Sequence, residues 1–401
     1  MNGPERLLIQ FGAGNIGRSF IGQIFARNDW EVVFVDVDAP LLERINKDGC
    51  YDVVVKDPDG SEERITVSGV RGVDAGETRA VARELRRTAY VGTSVGSGAI
   101  GHVVPHLAAE CERRYREEPE RRPFDIILAE NIHDGRRLLE GLLRRSLPDD
   151  LPLSALPGIV ECSVGKMVPL ITEEAKRSEP TTVFAERFNT LILDSKAWKN
   201  PIPEIPQLAP VDNIAAYVDR KLFIHNLGHA AVVYLGYPRH PDATYLYELL
   251  EDEKVAQGAR RAMECSAEAL LRAYPESFTR EQLTEHIEDL LYRFRNRALG
   301  DTVHRVGRDL RRKLSGEDRV VGAIRLAHNQ GVDPEPLVNV YRSALSFKAP
   351  NEKGSLFPGD EEFHEALLRE GAVYAVKEIS GLREGEPLFD YLMGRVDPPS
   401  S

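Results

Sequence analysis

The sequence predicts an α/β domain built on a parallel sheet, followed by a mainly α-helical domain. Three observations predict it. From Leu7 to about Asp194, short apolar runs alternate with helical stretches; a glycine-rich loop follows the first run; and beyond a proline-rich stretch the β-rich runs almost vanish.

The strand candidates are Leu7–Phe11, Glu31–Val35, Ala89–Thr93, Asp125–Leu128 and Gly158–Cys162, each short, apolar and closed by a polar or glycine-containing turn. Between the second and third, residues 51–70 read as a β-hairpin. There Val53-Val54-Val55 and the run Ile65 to Val67 flank the turn residues Asp57-Pro58-Asp59-Gly60-Ser61. The stretch from Lys199 to Pro210 carries Pro201, Pro203, Pro206 and Pro210, too many for a helix interior, and is expected to connect the domains. Residues 1–195 and 196–401 are the expected division. In the second part, segments 212–235, 242–273, 280–298, 303–315, 318–329, 334–346, 360–370 and 373–381 have helical composition or periodicity.

At 401 residues each part can bury its own core without disulfides or metals. A net charge of −12 disfavours a nucleic-acid partner. With 42% hydrophobic and 29% charged residues the composition is that of a soluble globular protein, and no apolar run suits a bilayer span. The start of the chain shows no basic leader with a cleavable small-residue site, so a cytoplasmic protein is expected. Cys50, Cys111, Cys162 and Cys265 lie far apart without CxxC spacing, which suggests buried free thiols rather than a zinc site or a disulfide framework.

The loop Gly12-Ala13-Gly14-Asn15-Ile16-Gly17 is a GxGxxG between a strand and a helical run, the context in which that pattern binds a dinucleotide. Gly12 allows the tight turn, Gly14 lets a pyrophosphate approach the backbone, and Gly17 lets the helix pack on the strand. The helix N-terminus then offers free N–H groups to the phosphates. This makes the first part a Rossmann dinucleotide-binding domain. Asp36 ends the second strand 19 residues after Gly17. There a carboxylate can accept hydrogen bonds from the adenosine ribose and repel a 2′-phosphate, favouring NAD over NADP. The alternative is that Asp36 only caps its turn with Asp38. Thr93-Ser94-Val95-Gly96 and Glu130-Asn131 end strands on the same sheet edge, and Asn131 is a candidate contact to the nicotinamide half or else a turn cap.

The segment from Asp219 to His229 brings Lys221, His225, Asn226 and His229 together amid apolar residues. On an ideal helix His225, His229 and Asn226 lie roughly 40°, 80° and 140° from Lys221. Oxidation of an alcohol by NAD requires a base for the hydroxyl proton and donors for the developing oxygen charge. Lys221 suits the first role if burial beside a cationic ring lowers its pKa. Asn226 and His229 suit the second. A zinc helix is the weaker reading, since His225 and His229 flank Asn226 where a metalloprotease has Glu, and no metal is expected.

Lys221, Asn226 and His229 form K-x(4)-N-x(2)-H, and with FGAGNIGRSFIG, the AEN at Ala129 to Asn131 and RVGRDLRRKL from Arg305 the chain resembles the polyol-specific long-chain dehydrogenases over most of its length. The resemblance implies a metal-independent enzyme with a Rossmann domain, a helical C-terminal domain and an active site in the cleft between them. It implies that Lys221 is the general base, and that Asn226 and His229 handle the substrate oxygen. Glu161 and Cys162 depart from the Asn or Asp and Ser that relatives carry near the fifth strand. An asparagine contribution to the oxygen site is therefore in question.

Within that family the substrate is a free polyol, a sugar acid or a polyol phosphate. Arg305, Arg308 and Arg312 recur at helical spacing in an otherwise acidic protein, and Lys348 adds a cation farther on. Guanidinium groups suit phosphate recognition, which favours a polyol phosphate, although a solvated helix face explains the same pattern. The expected partner is this small molecule, bound by a monomer or small homo-oligomer. A non-catalytic NAD-binding regulator would keep the glycine loop but has no need of Lys221, Asn226 and His229.

Overall fold

The computed structural model describes residues 6–396 except 97, 131, 133 and 170–176. Two compact units are present, one of Met1–Asp57 with Ser61–Ile214 and one of Pro58–Gly60 with Ala215–Ser401.

The first unit is organised by an eight-stranded sheet in the order β11-β10-β8-β7-β6-β1-β2-β5. Its strands are β1 (Leu7–Phe11), β2 (Glu31–Asp36), β5 (Val70–Asp74), β6 (Tyr90–Thr93), β7 (Asp125–Leu128), β8 (Gly158–Ser163), β10 (Leu191–Asp194) and β11 (Leu208–Val211). The six from β5 to β8 are all parallel. Counting only those six along the chain, the order is 3-2-1-4-5-6, the doubly wound arrangement that binds dinucleotides where strand order reverses, here between β1 and β6. Alternate side chains of β1 enter two separate cores, with Leu7, Ile9 and Phe11 on one face and Leu8 on the other. Burial on both faces explains why these strands read as continuous apolar runs.

All five strand candidates form. The hairpin forms as β3 (Cys50–Lys56) and β4 (Glu62–Ser68), paired antiparallel, and β9 (Val183–Ala185) joins β3 in a small sheet. Two sequence expectations need correction. The hairpin does not run to Val70, because Val70 opens β5, which pairs with β2 in the main sheet. Nor is the whole proline-rich stretch a connection, because β11 pairs with β10 and sets Leu193 opposite Pro210. An edge strand tolerates a proline, since its outer side makes no ladder bonds.

Among the described residues from Ala215 onward, the regular elements of the second unit are helices, with an isolated bridge between Tyr245 and Thr302. Its long predicted segments are subdivided. Segment 212–235 becomes Ile214–Arg220, a π-helical turn at Lys221–Asn226, and Leu227–Gly236. The last piece is apolar nearly all round, so its neighbours cover it on every side. Segment 303–315 splits into Val303–Gly307 and Leu310–Lys313. The break falls at Asp309, which has a left-handed backbone with φ of 70°. Asp360 stabilises the break by accepting from the amides of Asp309 at 3.0 Å and Leu310 at 2.7 Å. No described helix is long and apolar enough to cross a membrane.

Candidate active site

The glycine loop leaves β1 into a π-helical turn, Gly17–Gly22, that continues as the α-helix Gln23–Ala26. Gly12 has φ of +92°, and a Cβ on Gly17 would lie 2.0 Å from the Gly12 carbonyl oxygen, so these two positions require glycine to form the turn. Gly14 is exposed and faces open space, as a site for close pyrophosphate approach must. Asn15 and Ile16 are partly exposed beside it, and Ala13 is buried.

Asp36 is built into this loop. One carboxylate oxygen accepts from the Ala13 amide at 2.6 Å, and the other accepts from the amides of Val37 at 2.7 Å and Asp38 at 3.0 Å. Asp38 separately caps Ala39–Asp48 through the Leu41 amide. Turn capping and ribose binding are therefore compatible, since a carboxylate accepts about four hydrogen bonds and Asp36 uses three. From the other side, buried Arg18 donates to the Ala13 carbonyl at 2.6 Å, which fixes the loop peptide from both ends.

Across the strand-order reversal, the turn after β6 is held by Glu130, whose sequence position marks only the end of a strand. Glu130 is buried, and its two oxygens accept from the amides of Val95 and Gly96, both at 2.8 Å. Burial raises its carboxyl above the usual range, and the two amides oppose that rise. The neighbouring Asn131 lies outside the described residues. Glu161, in β8, is half-buried and likewise raised by burial, with Arg136 opposing, while Cys162 is buried and its thiol is pushed well up by burial.

In the second unit, Lys221, Asn226 and His229 are partly exposed, whereas Phe223, Ile224, His225, Leu227 and Gly228 are buried. Ideal α-helical phases would set His225 nearest to Lys221. The π-turn alters this: the Leu227 amide reaches back to the Leu222 carbonyl, and the widened turn brings residues five apart toward one face. Lys221 and Asn226 are five apart, and His225 turns inward against Phe294, with ring centroids 5.8 Å apart. Burial first, and then the positive charge of Arg319, bring the Lys221 ammonium down to about 8.

His229 is oriented by two residues that the sequence did not single out. Its ring stacks on Phe294 at 4.9 Å and 18°. Its Nε2 lies 3.0 Å from Asp301 Oδ2, a close contact outside the geometry of a directed hydrogen bond. Asp301 is buried, which raises its carboxyl. His229 and Arg305 more than offset this and hold it at about 2. Among the described residues no group of three or more His, Cys, Asp or Glu is placed to hold a metal ion.

The four phosphate candidates are not brought together on one helix, because the break at Asp309 separates Arg305 from Arg312. Arg305 pairs with Asp301, and Arg312 with Asp309 at 2.6 Å and Asp318 at 3.1 Å. Arg308 is exposed over the Phe357 ring at 5.7 Å, and Lys348 is exposed.

The family models for the mannitol dehydrogenase Rossmann domain and the mannitol dehydrogenase C-terminal domain match residues 6–207 and 213–381. A mannitol-1-phosphate 5-dehydrogenase of Halalkalibacterium halodurans is 30% identical over 389 residues, covering 96% of this chain and 99% of the relative. Among solved structures, a D-sorbitol dehydrogenase in substrate-free form has a TM-score of 0.74 at 16% identity, over 96% of this chain and 91% of the other. The Pseudomonas fluorescens mannitol 2-dehydrogenase, in a ternary complex with NAD and D-mannitol, has a TM-score of 0.71 at 17% identity, over 98% and 91%. These two likenesses establish the fold. With both family models matched in order along the chain, the protein belongs to the mannitol dehydrogenase family of NAD(P)-dependent polyol dehydrogenases.

Proposed function

We propose that this polyol dehydrogenase catalyses the reversible NAD-dependent oxidation of D-mannitol 1-phosphate at C5 to D-fructose 6-phosphate, without a metal. The observation that carries the reading is Lys221, a partly exposed lysine brought down to about 8 and displayed with Asn226 and His229. The full-length likeness to a mannitol-1-phosphate 5-dehydrogenase supports the phosphorylated substrate.

The loop from Gly12 to Gly17 fits a dinucleotide, since Gly14 opens to space and free amides begin the helix that follows. Asp36 retains acceptor capacity for the ribose hydroxyls and repels a 2′-phosphate, which favours NAD. Asn131 is assigned to the same cofactor site on its sequence position. When bound, NAD supplies the hydride acceptor. The chain supplies the rest. Neutral Lys221 takes the hydroxyl proton, and the Asn226 amide donates to the oxygen as it gains negative charge. His229, steadied by Phe294 and Asp301, hydrogen-bonds the same oxygen or orients the substrate. In the reductive direction the Lys221 ammonium returns the proton.

The test is reduction by NADH of fructose 6-phosphate against fructose. The phosphorylated ketose should be turned over far better, and comparable rates would refute the phosphate assignment in favour of a free-polyol enzyme. Turnover of either compound excludes a non-catalytic NAD-binding regulator.

A further inference from the structure

Of the cations that the sequence offers for a phosphate, Arg305 and Arg312 are paired with carboxylates and Arg308 and Lys348 are exposed, whereas Arg319 combines a fixed guanidinium with unused donors. Arg319 stands just before the helix Val321–Asn329. Its Nε donates to Asp318 Oδ1 at 2.7 Å, and its backbone amide donates to the same oxygen at 2.6 Å. The other oxygen of Asp318 takes Arg312 at 3.1 Å, so one carboxylate serves two guanidinium groups. The Arg319 side chain is only 13% exposed. Among the described residues its two terminal nitrogens have no hydrogen-bond partner, and they are not sealed from solvent.

Two lysines share these surroundings. Lys313 is buried, with its ammonium on the Val306 carbonyl. Its ammonium falls to about 7 through burial, then through the charges of Arg319 and Arg312. Lys221 is the second lysine that feels Arg319. Packing brings the two elements together, because a Cβ on Gly322, in the helix that follows Arg319, would lie 2.7 Å from the ring of Phe223, two residues after Lys221. Arg312 and Arg319 thus meet on one carboxylate, Asp318, with Lys313 next to Arg312 in the chain. Like charges so placed repel one another, and a multiply charged anion with several acceptor oxygens relieves that repulsion.

We propose that Arg319 is the specificity-determining residue for the substrate phosphate, its Nε side held by Asp318 and its terminal nitrogens presented to the phosphate oxygens. This rests on the polyol-phosphate reading above and names the residue that enforces it. Arg319 also influences Lys221, but that effect is common to phosphorylated and free substrates and cancels in their ratio.

The experiment measures kcat/KM for fructose 6-phosphate divided by that for fructose, in the wild type and in Arg319→Gln, with thermal unfolding and NADH binding as controls. The ratio should fall on the order of a hundredfold in the variant, carried mainly by KM for the phosphorylated ketose. A wild type that prefers fructose 6-phosphate and a variant that keeps the full preference would overturn the role of Arg319 alone. A wild type without preference overturns the polyol-phosphate reading and the role of Arg319 together. Should Arg319→Gln not fold, Arg319→Lys decides. A ratio several-fold lower supports the proposal, because an ammonium lacks the fork, and an unchanged ratio overturns it.

Discussion

Replacing Lys221 by Met should make the second unit more stable at neutral pH while removing turnover. The lysine ammonium is lowered from 10.5 to about 8, chiefly by burial and then by Arg319. At about 1.4 kcal/mol per pH unit this corresponds to a penalty of about 3 kcal/mol for holding the charged form. Partial exposure of the side chain reduces the expected gain to about 1–3 kcal/mol, or a few degrees in Tm for a unit of this size. The sign follows from linkage. Below about pH 8 lysine is charged in both folded and unfolded chains, so the wild type carries the whole penalty. Between about 8 and 10.5 the unfolded chain binds more protons, so wild-type stability rises with pH, and above 10.5 the penalty is gone. Thermal unfolding followed by far-ultraviolet circular dichroism at pH 7 and pH 10 is the suitable assay. Tryptophan fluorescence is not, because Trp30 and Trp198 both belong to the first unit. A variant clearly less stable than the wild type at pH 7, or an advantage of equal size at both pH values, would refute the reasoning. The same titration should make polyol oxidation accelerate up to about pH 8 and then level off.

The glycine loop offers a paired test. Gly14→Ala should weaken NADH binding in titration while leaving Tm nearly unchanged, because its Cβ meets only open space, whereas Gly17→Ala should lower both through the clash with Gly12. Asp301→Asn should reduce kcat by on the order of tenfold to a hundredfold with NADH affinity retained, and should add little in a His229→Ala background if Asp301 acts through that ring. Independent, multiplying losses in the double variant would assign Asp301 a role apart from His229.

Legibility followed the range of the interactions. The parallel strands were readable because burial on both faces makes each an apolar run, and the loop from Gly12 to Gly17 because its chemistry is local. Strand β5 was obscured by Gly72 and Arg71 within Val70–Asp74 and by the hairpin directly before it. Strand β11 was hidden by its proline, a signal that has a different meaning at a sheet edge. In the site, Lys221, Asn226 and His229 were legible as a pattern, but their relative phases were not, since ideal helical spacing fails across a π-turn. Glu130, Asp301 and Arg319 went unassigned for another reason. What distinguishes them is their setting in the fold: the amides after β6 for Glu130, the His229 ring for Asp301, and for Arg319 the carboxylate of Asp318 that it shares with Arg312. Asp360 likewise interrupts the arginine-rich helix from a distant position, which is why helical spacing there misled.

The π-turn at Lys221–Asn226 amounts to one surplus residue accommodated inside a helix. Upstream of it the chain follows the register that displays Lys221; downstream, Leu227–Gly236 follows the register that the core demands. A regular helix would have to compromise between the two, because turning Lys221 to a substrate would also turn the apolar stripe. The surplus residue uncouples them. Wound as an ordinary helix without losing a residue, the same segment would swing the lysine to roughly 140° from the asparagine, whereas the widened turn keeps the two toward one face. Fold and chemistry thus make separate demands on one helix, and a single inserted residue lets both be met.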